Sequence, residues 1–204
     1  EPSATMVSLT NQLTANCLTD AEVTVRATGG TAPYSYAYVV DGAAAPTTFP
    51  EGQTFTLDPL VSLDWDIYAE DANGCVSAVL DISISVDDIP EITPALVDAC
   101  VTEGTFAINV ALDALGIAPY RIRVDGGAPQ ATTWANIGDI VTIPNLSSGN
   151  HTVQIIDANG CGELENITIF PPLEANINIT ADENCVPANS GEVTITANAG
   201  SGVG

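Results

Sequence analysis

The chain has 204 residues, 46% of them hydrophobic, and its 26 acidic and three basic residues give a formal net charge of −23 at pH 7. This charge repels nucleic acids and anionic membrane surfaces, so we exclude nucleic acid as a partner and expect no direct membrane insertion. The hydrophobic content is too high for a disordered acidic tail. We expect the chain to be a segment of a longer protein.

A five-residue sequence, Asp-Ala-Asn-Gly-Cys, occurs at 71–75 and again at 157–161, which is 157 − 71 = 86 positions later. Pro33-Tyr34 recurs at the same distance as Pro119-Tyr120. Similarity at a fixed spacing indicates a repeat architecture. We therefore predict two complete repeats, at 1–89 and 90–172, and the first part of a third at 173–204.

Short stretches of alternating apolar residues predict β-strands, and no stretch keeps the period of a convincing helix. One strand, Glu22 to Ala27, has Val23 and Val25 on one face. The predicted strands are 6–10, 22–27, 34–40, 54–57, 65–69 and 79–86 in the first repeat, 106–110, 120–124, 140–143, 152–156 and 166–170 in the second, and 175–180 and 192–196 in the third. About seven short strands per repeat predict an all-β fold of tandem, antiparallel immunoglobulin-like sandwiches. Pro90 and Pro171-Pro172 mark stiff joints between them.

The five cysteines suggest a disulfide framework with one bridge in each repeat. Of the three pairings possible for the first four, only Cys17–Cys75 with Cys100–Cys161 keeps each bridge inside one repeat. Cys185 would then pair with a cysteine outside this chain. Such bridges indicate an oxidising, extracellular setting. Reduced, buried thiols in a cytosolic protein are the alternative interpretation.

The Asp-Ala-Asn-Gly-Cys sequences have a structural and a functional interpretation. In the structural one, Asn-Gly forms a type I′ hairpin turn and the aspartate accepts hydrogen bonds from nearby backbone N–H groups. In the functional one, Asp71, Asn73, Asp157 and Asn159 are oxygen ligands for Ca²⁺, although the remaining spacing of an EF-hand loop is absent. A second possible calcium position is the joint that contains Asp87, Asp88 and Glu91.

No residue pattern predicts catalysis. The only histidine, His151, aligns with Trp65 in the repeat, and an aromatic packing position explains both residues better than a catalytic one. We therefore expect no catalytic residue and no enzyme. The aromatic residues could instead form a sugar-binding platform or pack within the strands; these residues are Tyr34, Tyr36, Tyr38, Trp65 and Trp134.

Two stretches of the first repeat, 29–36 (Gly-Gly-Thr-Ala-Pro-Tyr-Ser-Tyr) and 67–75 (ending in Asp-Ala-Asn-Gly-Cys), have counterparts at 118–120, 146–153 and 157–161. With these residues the unit resembles the SprB-type repeat of Bacteroidetes cell-surface proteins, which include gliding-motility adhesins exported by the type IX system. The family often has tyrosine where Trp65 and His151 stand. The resemblance implies a long, surface-anchored filament of tandem modules.

We therefore predict a non-catalytic structural or adhesive segment of a long extracellular cell-surface protein that serves adhesion or surface motility. Its expected partners are neighbouring repeats of the same chain, surface glycans or other subunits of a filament. No cofactor is expected other than Ca²⁺. The alternatives are a carbohydrate-binding module and an accessory region of a secreted hydrolase.

Overall fold

A computed structural model describes residues 4–181 and 192–198, and all the regular structure in these ranges is β-strand. The chain divides into two compact units. Unit 1 is Glu1–Ile89 with Asn159–Cys161, and unit 2 is Pro90–Ala158 with Gly162–Gly204. The described residues contain no helix long and apolar enough to cross a membrane.

Unit 1 is a sandwich of two antiparallel three-stranded sheets, in the orders β1-β2-β4 and β3-β5-β6. The strands are β1 (Met6–Leu13), β2 (Ala21–Thr28), β3 (Ser35–Val40), β4 (Thr54–Leu57), β5 (Asp64–Glu70) and β6 (Leu80–Ser83). Both sheets contribute to one core, in which Val23 and Leu57 of the first sheet are buried with Tyr36 and Ile67 of the second. Alternation along β2 produces this packing, because successive side chains of a strand point to opposite faces.

Unit 2 repeats this arrangement around a core of its own. Its sheets have the orders β11-β8-β7 and β10-β9-β12-β13. The strands are β7 (Glu91–Leu96), β8 (Phe106–Ala114), β9 (Arg121–Val124), β10 (Gln130–Ala131), β11 (Ile140–Leu146), β12 (Gly149–Ile156) and β13 (Leu164–Ile169). Phe106 and Ile108 of one sheet are fully buried together with Val153 and Ile155 of the other. The remaining strands, β14 (Ala175–Ala181) and β15 (Glu192–Ala197), form an antiparallel pair.

The all-β, immunoglobulin-like fold class is therefore confirmed. Apart from the two-residue strand β10, the six strands of unit 1 and those of unit 2 follow one another in the same order and pair in the same way. Each unit places its first, second and fourth main strands in one sheet and the other three in the second. This exchange between sheets is the connectivity of an immunoglobulin-like sandwich.

Two strands were not predicted from the sequence, β7 and the two-residue strand β10. We interpreted Ile89-Pro90-Glu91 as a joint, but Glu91–Leu96 forms β7 and pairs with β8. The strand contains Pro94, which has no N–H group for a sheet ladder. It is tolerated because β7 lies at the edge of its sheet, where one side of the strand has no partner strand.

The predicted disulfide pairing is wrong. The structure contains a bond between Cys17 and Cys161, with Cα atoms 5.8 Å apart, whereas Cys75 and Cys100 are exposed free cysteines. The predicted pairs Cys17–Cys75 and Cys100–Cys161 are therefore not formed, and the described residues hold one disulfide rather than one in each repeat. The cysteine at position 185, for which we predicted a partner outside the chain, lies outside the described residues.

The packing of the segment that carries Cys161 explains the difference. Asn159–Cys161 belongs to unit 1 by its contacts. Cys161 is buried there, and its Sγ accepts a hydrogen bond from the Cys17 N–H at 3.3 Å. The Asn159 side-chain amide donates to the Asp87 carboxylate at 2.9 Å. Repeat spacing reports which positions are equivalent, but only packing brings two sulfur atoms into bonding distance.

We predict that replacing Cys17 or Cys161 by serine will lower the free energy of unfolding by about 2–5 kcal/mol, because the bond restricts the unfolded chain. Chemical denaturation under non-reducing conditions measures this loss. Cys75→Ser and Cys100→Ser are the matched controls and should change stability by less than about 0.5 kcal/mol. Recovery of a peptide that links Cys17 to Cys75 after non-reducing proteolysis would contradict the assignment.

Candidate functional site

In unit 1, hydrogen bonds join the Asp-Ala-Asn-Gly-Cys turn to the loop before β3 that contains Gly29 and Gly30, which we call the glycine loop. Asp71 is buried, and its Oδ2 accepts a hydrogen bond from the Thr31 N–H at 2.9 Å. In return, the Ala72 N–H donates to the Thr31 carbonyl at 2.8 Å. The other carboxylate oxygen, Oδ1, accepts the N–H groups of Asn73 and Cys75, at 2.9 and 2.8 Å. One side chain therefore holds two loops together.

Unit 2 repeats this contact at the equivalent residues. The Ile117 N–H donates to Asp157 Oδ2 at 3.2 Å, and the Ala158 N–H donates to the Ile117 carbonyl at 2.8 Å. Asp157 is completely buried. Ile117 lies 117 − 31 = 86 positions after Thr31, which is the spacing of the repeat. We call this reciprocal contact the aspartate lock.

The turn inside the lock differs from the predicted type I′ hairpin. Gly74 has φ of 81° and is the only residue of the turn with a positive φ. The Gly74 N–H donates to the Asp71 carbonyl, and the Asp71 N–H donates to the Cys75 carbonyl. This is a three-residue loop that ends in a left-handed glycine. The difference arises because Asp71 Oδ1 accepts the N–H groups of Asn73 and Cys75, which favours a loop of this length.

The glycine loop comes so close to the lock that a side chain does not fit at Gly30. A Cβ atom there would lie 2.4 Å from Thr5 Oγ1 and 2.6 Å from Asp71 Oδ2, and φ at Gly30 is 56°. The loop is also tied to Tyr34, whose hydroxyl donates to the Gly29 carbonyl. In unit 2 the Tyr120 hydroxyl donates to the Gly116 carbonyl at 2.8 Å. The Gly-Gly and Pro-Tyr positions of the sequence therefore belong to one structure.

The predicted calcium ligands lie within these turns. Both oxygens of the Asp71 carboxylate accept backbone N–H groups, and the Asn73 side-chain amide donates to Thr31 Oγ1 at 2.9 Å. In the second turn, Asp157 accepts the Ile117 N–H and Asn159 donates to Asp87. These contacts fit the structural interpretation of the two sequences. Calcium binding by the four residues stays a prediction.

Backbone N–H groups stabilise the ionised form of the Asp71 carboxyl group. The pKa of Asp71 is lowered from its ordinary value of 3.8, first by the Cys75 N–H and then by the Thr31 N–H, which together outweigh the effect of burial. Backbone donors favour the charged form of a carboxyl group. The lock is therefore charged at neutral pH and weakens as the pH falls through the lowered pKa.

His151 and Trp65 occupy equivalent positions and make equivalent contacts, which explains their alignment in the repeat. The Trp65 indole N–H donates to the Ser62 carbonyl at 2.9 Å, and His151 Nε2 lies 3.0 Å from the Ser147 carbonyl. Both rings are buried. A ring N–H that reaches back to the preceding turn is the shared feature.

The second ring nitrogen of His151 contacts a carboxylate. His151 Nδ1 lies 2.8 Å from Asp125 Oδ2, and Asp125 Oδ1 accepts the Thr152 N–H at 2.9 Å. The pKa of His151 is raised above its ordinary value of 6.5, mainly by the hydrogen bond to Asp125, although burial opposes the shift. Burial would raise the pKa of Asp125, but the hydrogen bonds from His151 and Thr152 lower it overall. Each group therefore favours the charged form of the other.

The five aromatic residues considered as a sugar platform pack into the units instead. Tyr36, Trp65 and Trp134 are buried, and Tyr34 and Tyr38 pack against the core of unit 1. Tyr38 stacks on Phe55 with ring centroids 4.9 Å apart and meets the edge of Trp65 at 5.5 Å. Aromatic side chains at these distances stabilise a core. Their faces are therefore not presented to a sugar.

The SprB repeat family model matches residues 15–37, a range that includes β2, the glycine loop and the start of β3. A search of curated protein sequences found no match. The SprB resemblance inferred from the residues is therefore confirmed for this part of unit 1.

Three solved structures are similar in fold. The N-terminal eight immunoglobulin domains of Down Syndrome Cell Adhesion Molecule isoform 1.30.30 match with a TM-score of 0.46 and 16% identity, over 88% of this chain and 26% of that chain. The three N-terminal domains of the bacteriophage RB49 Highly Immunogenic Outer Capsid protein match with a TM-score of 0.44 and 13% identity, over 96% of this chain and 70% of that chain. The human OSCAR ligand-binding domain matches with a TM-score of 0.33 and 14% identity, over 82% of this chain and 99% of that chain. The chain spans about a quarter of the length of the first of these, 26%. These likenesses concern the fold alone.

We predict that Gly30→Ala will destabilise unit 1 by about 1–3 kcal/mol, because it adds a clash with the lock to a positive φ. Gly52→Ala is the matched control, since its Cβ would meet nothing within 4 Å. Urea denaturation of both variants measures the difference. Equal stability of the two would show that the loop can move away from Asp71 without cost.

We predict that the His151 ring titrates above pH 6.5 and that Asp125→Asn lowers its midpoint. Because the folded pKa is raised, the pair stabilises the fold fully below the unfolded pKa of 6.5 and loses this contribution as the pH rises through the folded value. NMR of the single histidine measures the midpoint. Asp113→Asn, which removes an exposed carboxylate of the same unit, should leave the midpoint unchanged, and a midpoint at or below 6.5 would contradict the pairing.

Proposed function

We propose, from the premise that the chain carries an SprB repeat at residues 15–37, that it is a non-catalytic segment of a long extracellular cell-surface protein. In this proposal the segment consists of tandem immunoglobulin-like repeats at 1–89, 90–172 and 173–204. It serves adhesion or surface motility by carrying a binding surface away from the cell. SprB repeats are characteristic of cell-surface proteins, and an adhesin-like structural repeat is the role that the match supports.

The repetition of the aspartate lock is the observation that carries this proposal. Asp71 with Thr31 and Asp157 with Ile117 make the same reciprocal pair of hydrogen bonds in both units. Because the contact occurs at equivalent positions of both modules, it serves the stability of the module rather than the binding of a ligand by one of them. This favours a structural array, in which equivalent modules each supply stability and length.

The arrangement of the single histidine supports a non-catalytic role. Both ring nitrogens of His151 are used in contacts within the fold, with Asp125 and with the Ser147 carbonyl. A general base needs a nitrogen that can reach the substrate. Its equivalent in unit 1 is Trp65, which makes the same contact to a turn carbonyl and has no acid–base chemistry.

The net charge fits a segment exposed to solvent at a cell surface. The chain carries 26 acidic residues and three basic ones, which leaves few opposite charges for association between copies. The same charge keeps the segment soluble at a cell surface.

The carbohydrate-binding alternative is less well supported, because three of the aromatic residues considered for it, Tyr36, Trp65 and Trp134, are buried. Binding of the 204-residue chain to a glycan array would nevertheless support the carbohydrate-binding alternative. The hydrolase alternative requires a catalytic domain in the same polypeptide. Mass-spectrometric identification of the full-length protein in the source cells tests for such a domain directly.

The experiment that tests the proposed function replaces the repeats within the full-length protein. One strain carries a deletion of the three repeats, and a second carries unrelated immunoglobulin-like repeats of the same number and length. We expect the deletion to reduce attachment or surface spreading, and we expect antibody against the folded repeats to label intact cells. Restoration by the unrelated repeats would assign the segment a spacer role, whereas failure would assign it an adhesive surface. Unlabelled intact cells, or normal attachment and spreading after deletion, would refute the proposal.

A further inference from the structure

Unit 1 brings three aspartates together at one end of the sheet β3-β5-β6. Asp41 lies in the turn after β3, Asp66 in β5 and Asp81 in β6, and one carboxylate oxygen of each lies within 4.8 Å of the other two. These residues are outside the aspartate lock and were not predicted as a site. We propose that the three carboxylates bind a divalent cation, with Ca²⁺ as the ion that fits them best. We call this group the aspartate triad.

The carboxylate of Asp66 is the observation that points to a ligand. The residue is only 6% exposed, and its Oδ2 accepts the Gly42 N–H at 3.2 Å. Its other oxygen, Oδ1, is buried and has no hydrogen-bond partner among the described residues. Leaving a buried carboxylate oxygen without a donor or a cation is costly. A metal ion between the three carboxylates supplies the missing partner.

The position of Asp66 in the sheet adds a second reason. Asp66 is directly opposite Asp81 in the antiparallel pair β5–β6. Two like charges at directly opposed positions destabilise a sheet. Of the three basic residues of the chain, only Arg26 belongs to unit 1, and it lies on β2 of the other sheet, opposite Ser8. The sheet of unit 1 that carries the triad therefore has no basic side chain of its own.

A proton is the alternative to a cation. The pKa of Asp81 is raised, first by a hydrogen bond with Asp66, then by burial and by the charges of Asp66 and Asp41. Such a hydrogen bond between two carboxyl groups requires a proton on one of them. A divalent cation would satisfy the same oxygens with both groups ionised. The two arrangements respond differently to Ca²⁺ and to pH, so they can be separated by experiment.

Unit 2 shows how the same position looks without a cluster of carboxylates. Thr152 lies opposite Asn166 there, in the place of Asp66 and Asp81. The turn retains Asp125 before Gly126, as unit 1 has Asp41 before Gly42, but this aspartate is paired with His151. At this position the second unit therefore has one carboxylate next to a histidine, whereas the first has three carboxylates. The difference makes the triad specific to unit 1.

The geometry is compatible with Ca²⁺. Two oxygens that bind one Ca²⁺ at 2.3–2.6 Å are at most about 4.6–5.2 Å apart, and the bound of 4.8 Å in the triad falls in this range. A depression lined by Asp41, Asp64, Trp65, Asp81, Ile82 and Ser83 exposes two members of the triad, Asp41 and Asp81, to solvent, which leaves room for water ligands.

Trp65 makes the site measurable, because it lines the same depression as the triad. The experiment titrates the intact 204-residue chain with Tb³⁺, which replaces Ca²⁺ and emits light when a nearby indole is excited. We expect saturable Tb³⁺ emission that Ca²⁺ displaces, and we expect Ca²⁺ to raise the Tm relative to chelator by preferential binding to the folded state. Asp66→Asn and Asp81→Asn should each weaken Ca²⁺ binding by about tenfold or more.

Three controls separate a built site from the general attraction of an acidic chain. Asp20→Asn removes an exposed carboxylate of unit 1 outside the triad and should leave the affinity for Ca²⁺ unchanged. Asp81→Asn keeps the test valid if Asp66→Asn fails to fold, because Asp81 is exposed. In chelator, Asp81→Asn should melt at or above the temperature of the unchanged chain, since it removes a repulsion. Trp65→Phe should abolish the sensitised emission and retain the Ca²⁺-dependent rise in Tm.

Three results would overturn the proposal of a cation site at the aspartate triad. Equal weakening by Asp20→Asn and Asp81→Asn would assign the binding to the net charge of the chain. Tb³⁺ emission without saturation would do the same. A Tm that ignores Ca²⁺ at neutral pH, but rises as the pH is lowered toward the pKa of Asp81, would establish a shared proton in place of the cation. These results are independent of attachment and surface spreading, which test the proposed function.

Discussion

A buried aspartate organises each unit of this protein. Asp71 accepts three backbone N–H groups, from Thr31, Asn73 and Cys75, and thereby connects the turn after β5 to the loop before β3. Removing a charged side chain from water is favourable only when its oxygens are satisfied by donors. The glycines of the loop, the close approach at Gly30 and the length of the turn all follow from that requirement.

The two units keep the lock but differ in electrostatics at the neighbouring hairpin. Unit 1 places Asp66 opposite Asp81, whereas unit 2 places Thr152 opposite Asn166 and pairs Asp125 with His151. The scaffold therefore tolerates different charges at one surface as long as the core and the lock are retained. Such variation allows modules of one array to acquire separate ligands or pH responses without a change of fold.

The sequence was informative where its pattern reflects local geometry. Alternation along the strand 22–27 identified the buried face of β2, where Val23 and Val25 are in the core. It was less informative where a neighbour decides the outcome. The strand β7 was missed because Pro94 disfavours a central strand, and only the sheet order shows that this strand is at an edge. The aspartate triad was missed because its members are separated by 66 − 41 = 25 and 81 − 66 = 15 positions and share no motif.

By itself, the sequence determined the repeat, the all-β fold class and the positions of most strands, because each depends on periodicity and turn residues that are local to the chain. The tertiary structure decided which cysteines are joined and which carboxylates meet. Cys17 pairs with Cys161 although the repeat suggested Cys75, and Asp41, Asp66 and Asp81 converge from three separate segments. Contacts of this kind require two distant parts of the chain to arrive within a few ångströms. That distance is fixed by packing and register, which spacing along the sequence does not encode.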